Sequence, residues 1–440
     1  MDDDGKYHSP EVWVERSKAA PLHVQVLQPR FPLDEEYMEE EEEVSLTHLF
    51  PDSDRLRAPM IDRLINFLTP LMPQVYSLTT FLSYPYDSTL ELLLNCWKEH
   101  GIPGRAKILK TLSHPELAHI TIRSPEFYTP FLESLEVLQL HNTILDPWSR
   151  FLFPNLTEFE TSVGEGRWTM SLPELATVLS SCPKLQRLSL SGLIIKPFPS
   201  RKPKPKPIFF QDLQKLQIGG FSNLLNMDGA AMLESVLALI LPGQNPLNLE
   251  VKLSYIHKSP QRAIDVVRAF VERANVTQLR VHGPEVDCFK PSPYFASQLG
   301  PLPRVQTLVL EEFCFCDVVR VKSHLINFDD DSGPSIDEYD NPRPINPDVV
   351  LWPDVRNLYL SQCVLEEEHL RYLISLHSVQ SIHMKDCLKN LKEASDPAAE
   401  ADSSYESRRS MGNYVQLLSQ LVPKVVHHTA WDVWWSSLLP

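Results

Sequence analysis

The sequence predicts an α/β solenoid of leucine-rich repeats, with parallel strands on a concave face and helices on the convex one. Three observations predict it: a short apolar pattern returns along most of the chain, a proline often stands two residues ahead of it, and the intervening segments carry helical periodicity. The clearest copy is Val355-Arg-Asn-Leu-Tyr-Leu-Ser-Gln-Cys-Val-Leu365. Its Val355, Leu358, Leu360, Cys363 and Leu365 fill the slots of the template L-x-x-L-x-L-x-x-N/C-x-L.

Weak or clear copies of the apolar core begin at Val75, Leu117, Leu135, Leu156, Leu185, Leu213, Val276, Val305 and Val379, with a degenerate one around Leu249, Val251 and Leu253. The mean period is roughly 30 residues, near the long end of the leucine-rich range, and three neighbouring intervals lie at about 28 or 29. Within each core the apolar side chains point into the coil, so Gln186, Arg187 and Ser189 face outward. A return segment then lays the next strand parallel to the last, about 4.8 Å away. Leu172 to Cys182 reads as a helical return, with Leu172, Leu175, Ala176 and Leu179 on one face, Pro173 in its first turn and Pro183 ending it. Helices need about 10 Å of width and strands about half that, which puts the strands on the inner wall. A single repeat cannot bury its own apolar face, so each coil is stabilised by its neighbours.

Taken in order, residues 1–55 form an N-terminal segment with a helix from about Glu11, a strand-like Leu22–Val26, and the acidic run Asp34 to Glu43. That run repels itself and reads as a solvated loop, with recruitment of a basic partner as the alternative. The solenoid spans 56–390. Met60–Leu68 and Ser88–Trp97 read as helices, the second bounded by Gly101 and Gly104, and others lie around Ala230–Ile240 and Gln261–Glu272. Two insertions interrupt the repeats. Near 197–208 the alternating Arg201-Lys-Pro-Lys-Pro-Lys-Pro207 is a stiff extended loop or a docking peptide, and 328–348 is a loop whose removal restores the period. A polar linker at 391–410 leads to an amphipathic tail, 411–440, that ends Trp431-Asp-Val-Trp434-Trp435. The tail caps the stack or, alternatively, offers an aromatic patch.

Composition narrows the function. The formal net charge of −16 disfavours a nucleic-acid surface, which needs clustered Lys and Arg. Seven scattered cysteines suggest a reducing compartment, and there is neither a signal peptide nor an apolar run of membrane length. A cytoplasmic or nuclear location without membrane contact follows as the expectation. Phosphate loops, nucleophile elbows and H-E-x-x-H are missing: Gly101-Ile-Pro-Gly104-Arg-Ala-Lys107 has the wrong spacing, and Glu366-Glu-Glu-His369 lacks a second histidine. Cys314-Phe-Cys316 with His324 lacks a second cysteine pair for a metal, Cys363 and Cys387 share a packing slot, and His427-His428 has no nearby ligands. No enzyme activity, cofactor or metal is expected.

A binding surface remains. The outward position between the second and third apolar residues forms a ladder of Gln139, Glu160, Ser189, Gln217, Arg280, Val309, Tyr359 and His383. The next column carries His141, Ser191, His282, Glu311, Ser361 and Lys385. Long, mixed side chains spread over a wall suit an extended protein better than a small molecule. Arg280, Tyr359 and His383 are the preferred contacts, since Arg and Tyr are enriched at hot spots.

The junction Cys182-Pro-Lys-Leu-Gln-Arg-Leu-Ser-Leu190 and the stretch Cys363 to Leu373 resemble the repeats of F-box/leucine-rich-repeat proteins, of the ribonuclease-inhibitor-like kind. Val14-Glu-Arg-Ser-Lys-Ala-Ala-Pro-Leu-His-Val24 and Leu92 to Gly101 are similar to segments of the large F-box-like families of basidiomycete fungi. The resemblance implies recognition of a protein substrate for a Skp–cullin–F-box ubiquitin ligase. No F-box helix of the Leu-Pro-x-Glu type is visible, so docking to the Skp adaptor is expected only with an F-box upstream. A stand-alone repeat scaffold is the alternative.

Overall fold

In the computed structural model the chain is α/β, and its 13-stranded sheet takes its strands in the order in which the chain makes them. Residues 20–27, 53–82, 89–113, 120–123, 128–146, 148, 152–163, 168–196, 205–220, 228–253, 256, 260–283, 299–315, 352–365, 370–371, 374, 377–385, 387, 415–416 and 418–428 are described. The sheet strands are β1 (Leu22–Leu27), β2 (Val75–Leu82), β3 (Ile108–Ser113), β4 (Val137–His141), β5 (Glu158–Ser162), β6 (Arg187–Ser191), β7 (Lys215–Gly219), β8 (Leu247–Lys252), β9 (Val276–His282), β10 (Thr307–Glu311), β11 (Asn357–Ser361), β12 (Ser381–Lys385) and β13 (Lys424–His428). Pairing is parallel from β1 through β5 and from β7 through β13. The chain divides into two compact units, Met1–Ser189 and Leu190–Pro440.

In the first unit, helices α1 (Ser53–Leu68) and α2 (Thr89–His100) flank β2 in sequence. Leu90, Leu93, Leu94 and Trp97 recur at helical spacing on the buried side of α2. Trp97 is fully buried and meets the Phe131 ring edge-on at 4.1 Å. Leu78, Leu109 and Leu138 are fully buried, and Phe159 nearly so, as strand alternation requires, and Leu156 just ahead of β5 is fully buried with them. Helix α3 (Leu172–Ser180) begins with a capping box: Ser171 Oγ accepts from the Glu174 N–H at 3.3 Å, and Glu174 Oε2 accepts from the Ser171 N–H at 2.8 Å. Ser171→Ala is expected to cost about 1 kcal/mol, read as a lower urea midpoint with unchanged slope.

In the second unit, α4 (Gly229–Leu239) starts at an Asp228 cap and precedes β8, and α5 (Pro260–Arg273) precedes β9. Leu216, Ile218, Leu249, Val251, Val281, Leu308, Leu310, Leu360, Ile382 and Met384 are completely buried. Two short strand pairs accompany the main sheet here, Ile208–Phe210 with Ile240–Pro242 and Cys314–Phe315 with Val364–Leu365.

The same backbone bonds recur from coil to coil. Phe153-Pro-Asn-Leu156, Cys182-Pro-Lys-Leu185, Leu302-Pro-Arg-Val305 and Trp352-Pro-Asp-Val355 each close a turn, the fourth N–H donating to the first carbonyl at 3.2–3.4 Å. Proline fits the second turn position because its φ is preset there, which accounts for the proline ahead of these four copies. One carbonyl then receives two successive N–H groups of the following coil: Glu136 O from Thr157 and Glu158, Thr157 O from Gln186 and Arg187, and Gln306 O from Arg356 and Asn357. After the strand, Asn142, Gly192, Gly220, Glu312 and Gln362 adopt left-handed backbone. Gly and Asn take it at little cost, whereas Glu312 and Gln362 adopt it against the steric preference of L-residues.

Two expectations need correction. The copy at Leu117 is not a sheet strand: Ile120–Arg123 pairs with Thr143–Asp146 in a separate two-stranded sheet, and Ile108–Ser113 stands between β2 and β4. Thr111 had hidden that strand by occupying an apolar slot, where its Oγ1 donates to Thr143 Oγ1 at 2.9 Å. The copy around Leu249 is not degenerate but a full six-residue strand. Short paired strands accompany helices in some of the returns. Leu22–Leu27 joins the sheet as its first strand, and Lys424–His428, within the expected cap 411–440, as its last. β10 and β11 are neighbours in register, so the insertion expected at 328–348 falls between paired strands. That insertion, the acidic run, Arg201–Lys204, the linker 391–410 and the terminal tryptophans lie outside the described residues.

Candidate functional site

Parallel registry turns alternate strand residues into straight columns on the side of the sheet opposite the buried leucines. In the second unit one column runs Gln217, Glu250, Arg280, Val309, Tyr359, His383 and Val426. Beside it run Lys215, Asn248, Gln278, Thr307, Asn357, Ser381 and Lys424 on one flank, and Gly219, Lys252, His282, Glu311, Ser361, Lys385 and His428 on the other. The expected ladder Gln217, Arg280, Val309, Tyr359 and His383 is therefore brought together. Gly219 has no side chain for a steric reason: a Cβ there would lie 2.3 Å from Lys252 Cβ.

Four charged side chains interlock at the centre of this face. Arg280 donates through Nη2 to Glu311 Oε1 at 2.8 Å and through Nε to the same oxygen at 3.2 Å, while its Nη1 is 3.9 Å from Glu250 Oε2. His282 sets Nε2 3.1 Å from Glu250 Oε1 and Nδ1 against Glu311 Oε2. A neutral imidazole carries one N–H, so only the imidazolium donates to both carboxylates. These side chains are only 11% to 21% exposed, so the cluster is a built part of the wall. Burial opposes the charge of Glu250, yet the hydrogen bond from His282 and the cations Arg280, His282 and Lys252 hold its carboxyl down at about 2. Burial likewise opposes the charge on His282, but its bonds to Glu250 and Glu311 outweigh that and raise its pKa.

Next to the cluster lies an aromatic shelf. Tyr359 and His383 stack with centroids 4.4 Å apart and planes 22° from parallel, beside buried Val309. Burial raises the Tyr359 pKa. The flanking polar column is bonded strand to strand: Ser381 Oγ to Asn357 Oδ1 at 2.8 Å, Asn357 Nδ2 to Thr307 Oγ1 at 3.4 Å, and Asn248 Nδ2 to Gln278 Oε1 at 3.1 Å.

In the first unit Lys110, Gln139 and Glu160 share a column. Gln139 donates to Glu158, Arg187 reaches Glu158 at 3.2 Å, and His141 lies 3.6 Å from Glu160. Burial lowers the His141 pKa despite Glu160. Ser189 and Ser191 are half-buried on β6. Arg280 and His282, expected as free contacts, are tied to glutamates instead. Glu250 was missed because its strand read as degenerate; the alternation of Leu247, Leu249 and Val251 with Asn248, Glu250 and Lys252 was the signal.

Among the described residues no group of His, Cys, Asp or Glu is placed to hold a metal ion. In the charged cluster the two carboxylates meet opposite edges of the imidazole and do not converge. Cys363 and Cys387 donate to backbone carbonyls, Leu310 O and Ser361 O for the first and Leu360 O and Lys385 O for the second, at 3.3–3.5 Å. Burial drives the Cys363 thiol pKa upward. No helix among the described residues is long and apolar enough to cross a membrane. A scan against protein-family models finds no match, and no curated protein matches the chain.

Proposed function

We propose that the chain is a leucine-rich-repeat solenoid that binds a protein along the strand-lined face and presents it to a Skp–cullin–F-box ubiquitin ligase. The observation that carries the binding reading is the set of registered columns, in which Gln217, Arg280, Tyr359 and His383 stand side by side on successive strands. Repeat architectures make extended surfaces of this kind, and a wide strand-lined face with a stacked aromatic pair suits a macromolecule rather than a small substrate. The ubiquitin link rests on the resemblance at Cys182–Leu190 and Cys363–Leu373. No catalytic step is assigned to the chain.

A photo-crosslinking residue placed at Gln217 should capture a protein, whereas the same residue at exposed Glu272 on α5 should not, and Tyr359→Ala should abolish the capture. Equal capture at both positions would overturn the binding reading. Pull-down with the Skp adaptor tests the ligase link. Failure there, with capture at Gln217 intact, leaves a stand-alone scaffold.

A further inference from the structure

We propose that the strand-lined face of the second unit, from Lys215 to Lys424, docks an extended acidic polypeptide segment. This rests on the reading of that face as a protein-binding surface and names the class of partner. The three columns of β7–β13 hold six cations, Lys215, Lys252, Arg280, the His282 imidazolium, Lys385 and Lys424, against two anions, Glu250 and Glu311; of the cations Lys385 is fully buried and the others reach the surface. The chain as a whole carries −16, so this face opposes the net sign of its own protein.

The two anions are already engaged. Glu311 is bonded by Arg280 and His282, and Glu250 by His282. The carboxylates of the columns are thus held by Arg280 and His282, and among the described residues none forms an ion pair with Lys215, Lys252 or Lys424. Lys424 is exposed, and Lys215 and Lys252 are half-buried. Lysines facing a neutralised cluster attract carboxylates from outside, and the field of the face steers them in.

The spacing sets the form of the occupant. Strands repeat about every 4.8 Å, so crossing from β7 to β13 takes roughly 9 extended residues. The Tyr359–His383 shelf lies within that path and offers a seat for one apolar side chain. A polyphosphate backbone fits less well, since nucleic-acid binding depends on dense Lys and Arg, whereas the accessible lysines here are spread singly over seven strands.

The test is fluorescence anisotropy on the full chain, with a fluorescein-labelled dodecapeptide of alternating Glu and Ser around a central Leu. Saturable binding is expected. It should weaken at least about tenfold between about 50 and about 500 mM NaCl, and at least about tenfold in the triple variant K215E/K252E/K424E. Should charge reversal prevent folding, judged by circular dichroism, the triple Lys→Gln variant reads the same loss. Absence of saturable binding, or binding untouched by either triple variant, would overturn the proposal. Tighter binding of an oligothymidylate of equal charge would also overturn it, in favour of nucleic acid. Capture at Gln217 with no affinity for the acidic probe would sink the charge assignment alone and leave the protein-binding reading standing.

Discussion

Arg280→Ala is expected to lower stability by about 3–5 kcal/mol near neutral pH, the range for breaking a buried charge cluster from one side. The guanidinium makes two hydrogen bonds to Glu311 and approaches Glu250, and neither carboxylate has enough solvent to replace them. Urea unfolding followed by tryptophan fluorescence checks it. Replacing both partners, Arg280→Met with Glu311→Leu, should cost less than Arg280→Ala, because no unpaired charge is left inside.

The same cluster fixes the pH dependence. The folded-state pKa of His282 is raised, so its contribution is complete below the unfolded value of 6.5 and is lost as pH climbs through the folded value. That of Glu250 is lowered from 4.5 to about 2, so its contribution, roughly 3 kcal/mol, is present above 4.5 and lost as pH falls through about 2. Stability should therefore decline on both sides of a plateau, and His282→Gln should flatten the alkaline limb and also weaken the acid one, because the bond from His282 is the first of the interactions that hold the Glu250 carboxyl down. An unchanged alkaline limb in that variant would show that the imidazolium does not bridge the two glutamates.

Trp97→Ala is expected to cost about 3–5 kcal/mol, as for other large-to-small changes in a closed core. The indole is fully buried against Phe131, and α2 has no other side chain of comparable volume. Its Nε1 has no hydrogen-bond partner among the described residues, so Trp97→Phe removes an unsatisfied donor along with part of the ring. The phenylalanine variant should lose clearly less than the alanine variant. Equal losses would mean that the N–H is satisfied in solution.

Strand positions were legible wherever leucine or valine filled every inward slot, as at Val355–Leu360 and Leu185–Leu190. They were obscured where a threonine took such a slot, as at Thr111, because a buried hydroxyl with a hydroxyl partner is acceptable in a core yet looks polar in a pattern. The prolines ahead of the strands announced turns that the backbone bonds make explicit. Alternation alone gave the outward residues of each recognised strand, whereas the columns also needed the strands at Lys110 and Glu250 and the register between neighbours. Which of those residues were spent on each other could not be read from it. Arg280 and His282 read as contacts until Glu250, two strands away from Glu311, was placed against the same imidazole.

The placement of β10 against β11 has a practical consequence. Thr307 and Asn357 are partners in register although 50 positions separate them, against 30 for Asn248 and Gln278. Closing the longer connection costs only about 0.5 kcal/mol more, since that entropy grows with the logarithm of length. The crossing between these two strands is thus a natural port for engineering, where a reporter domain could be spliced in without displacing the columns on either side.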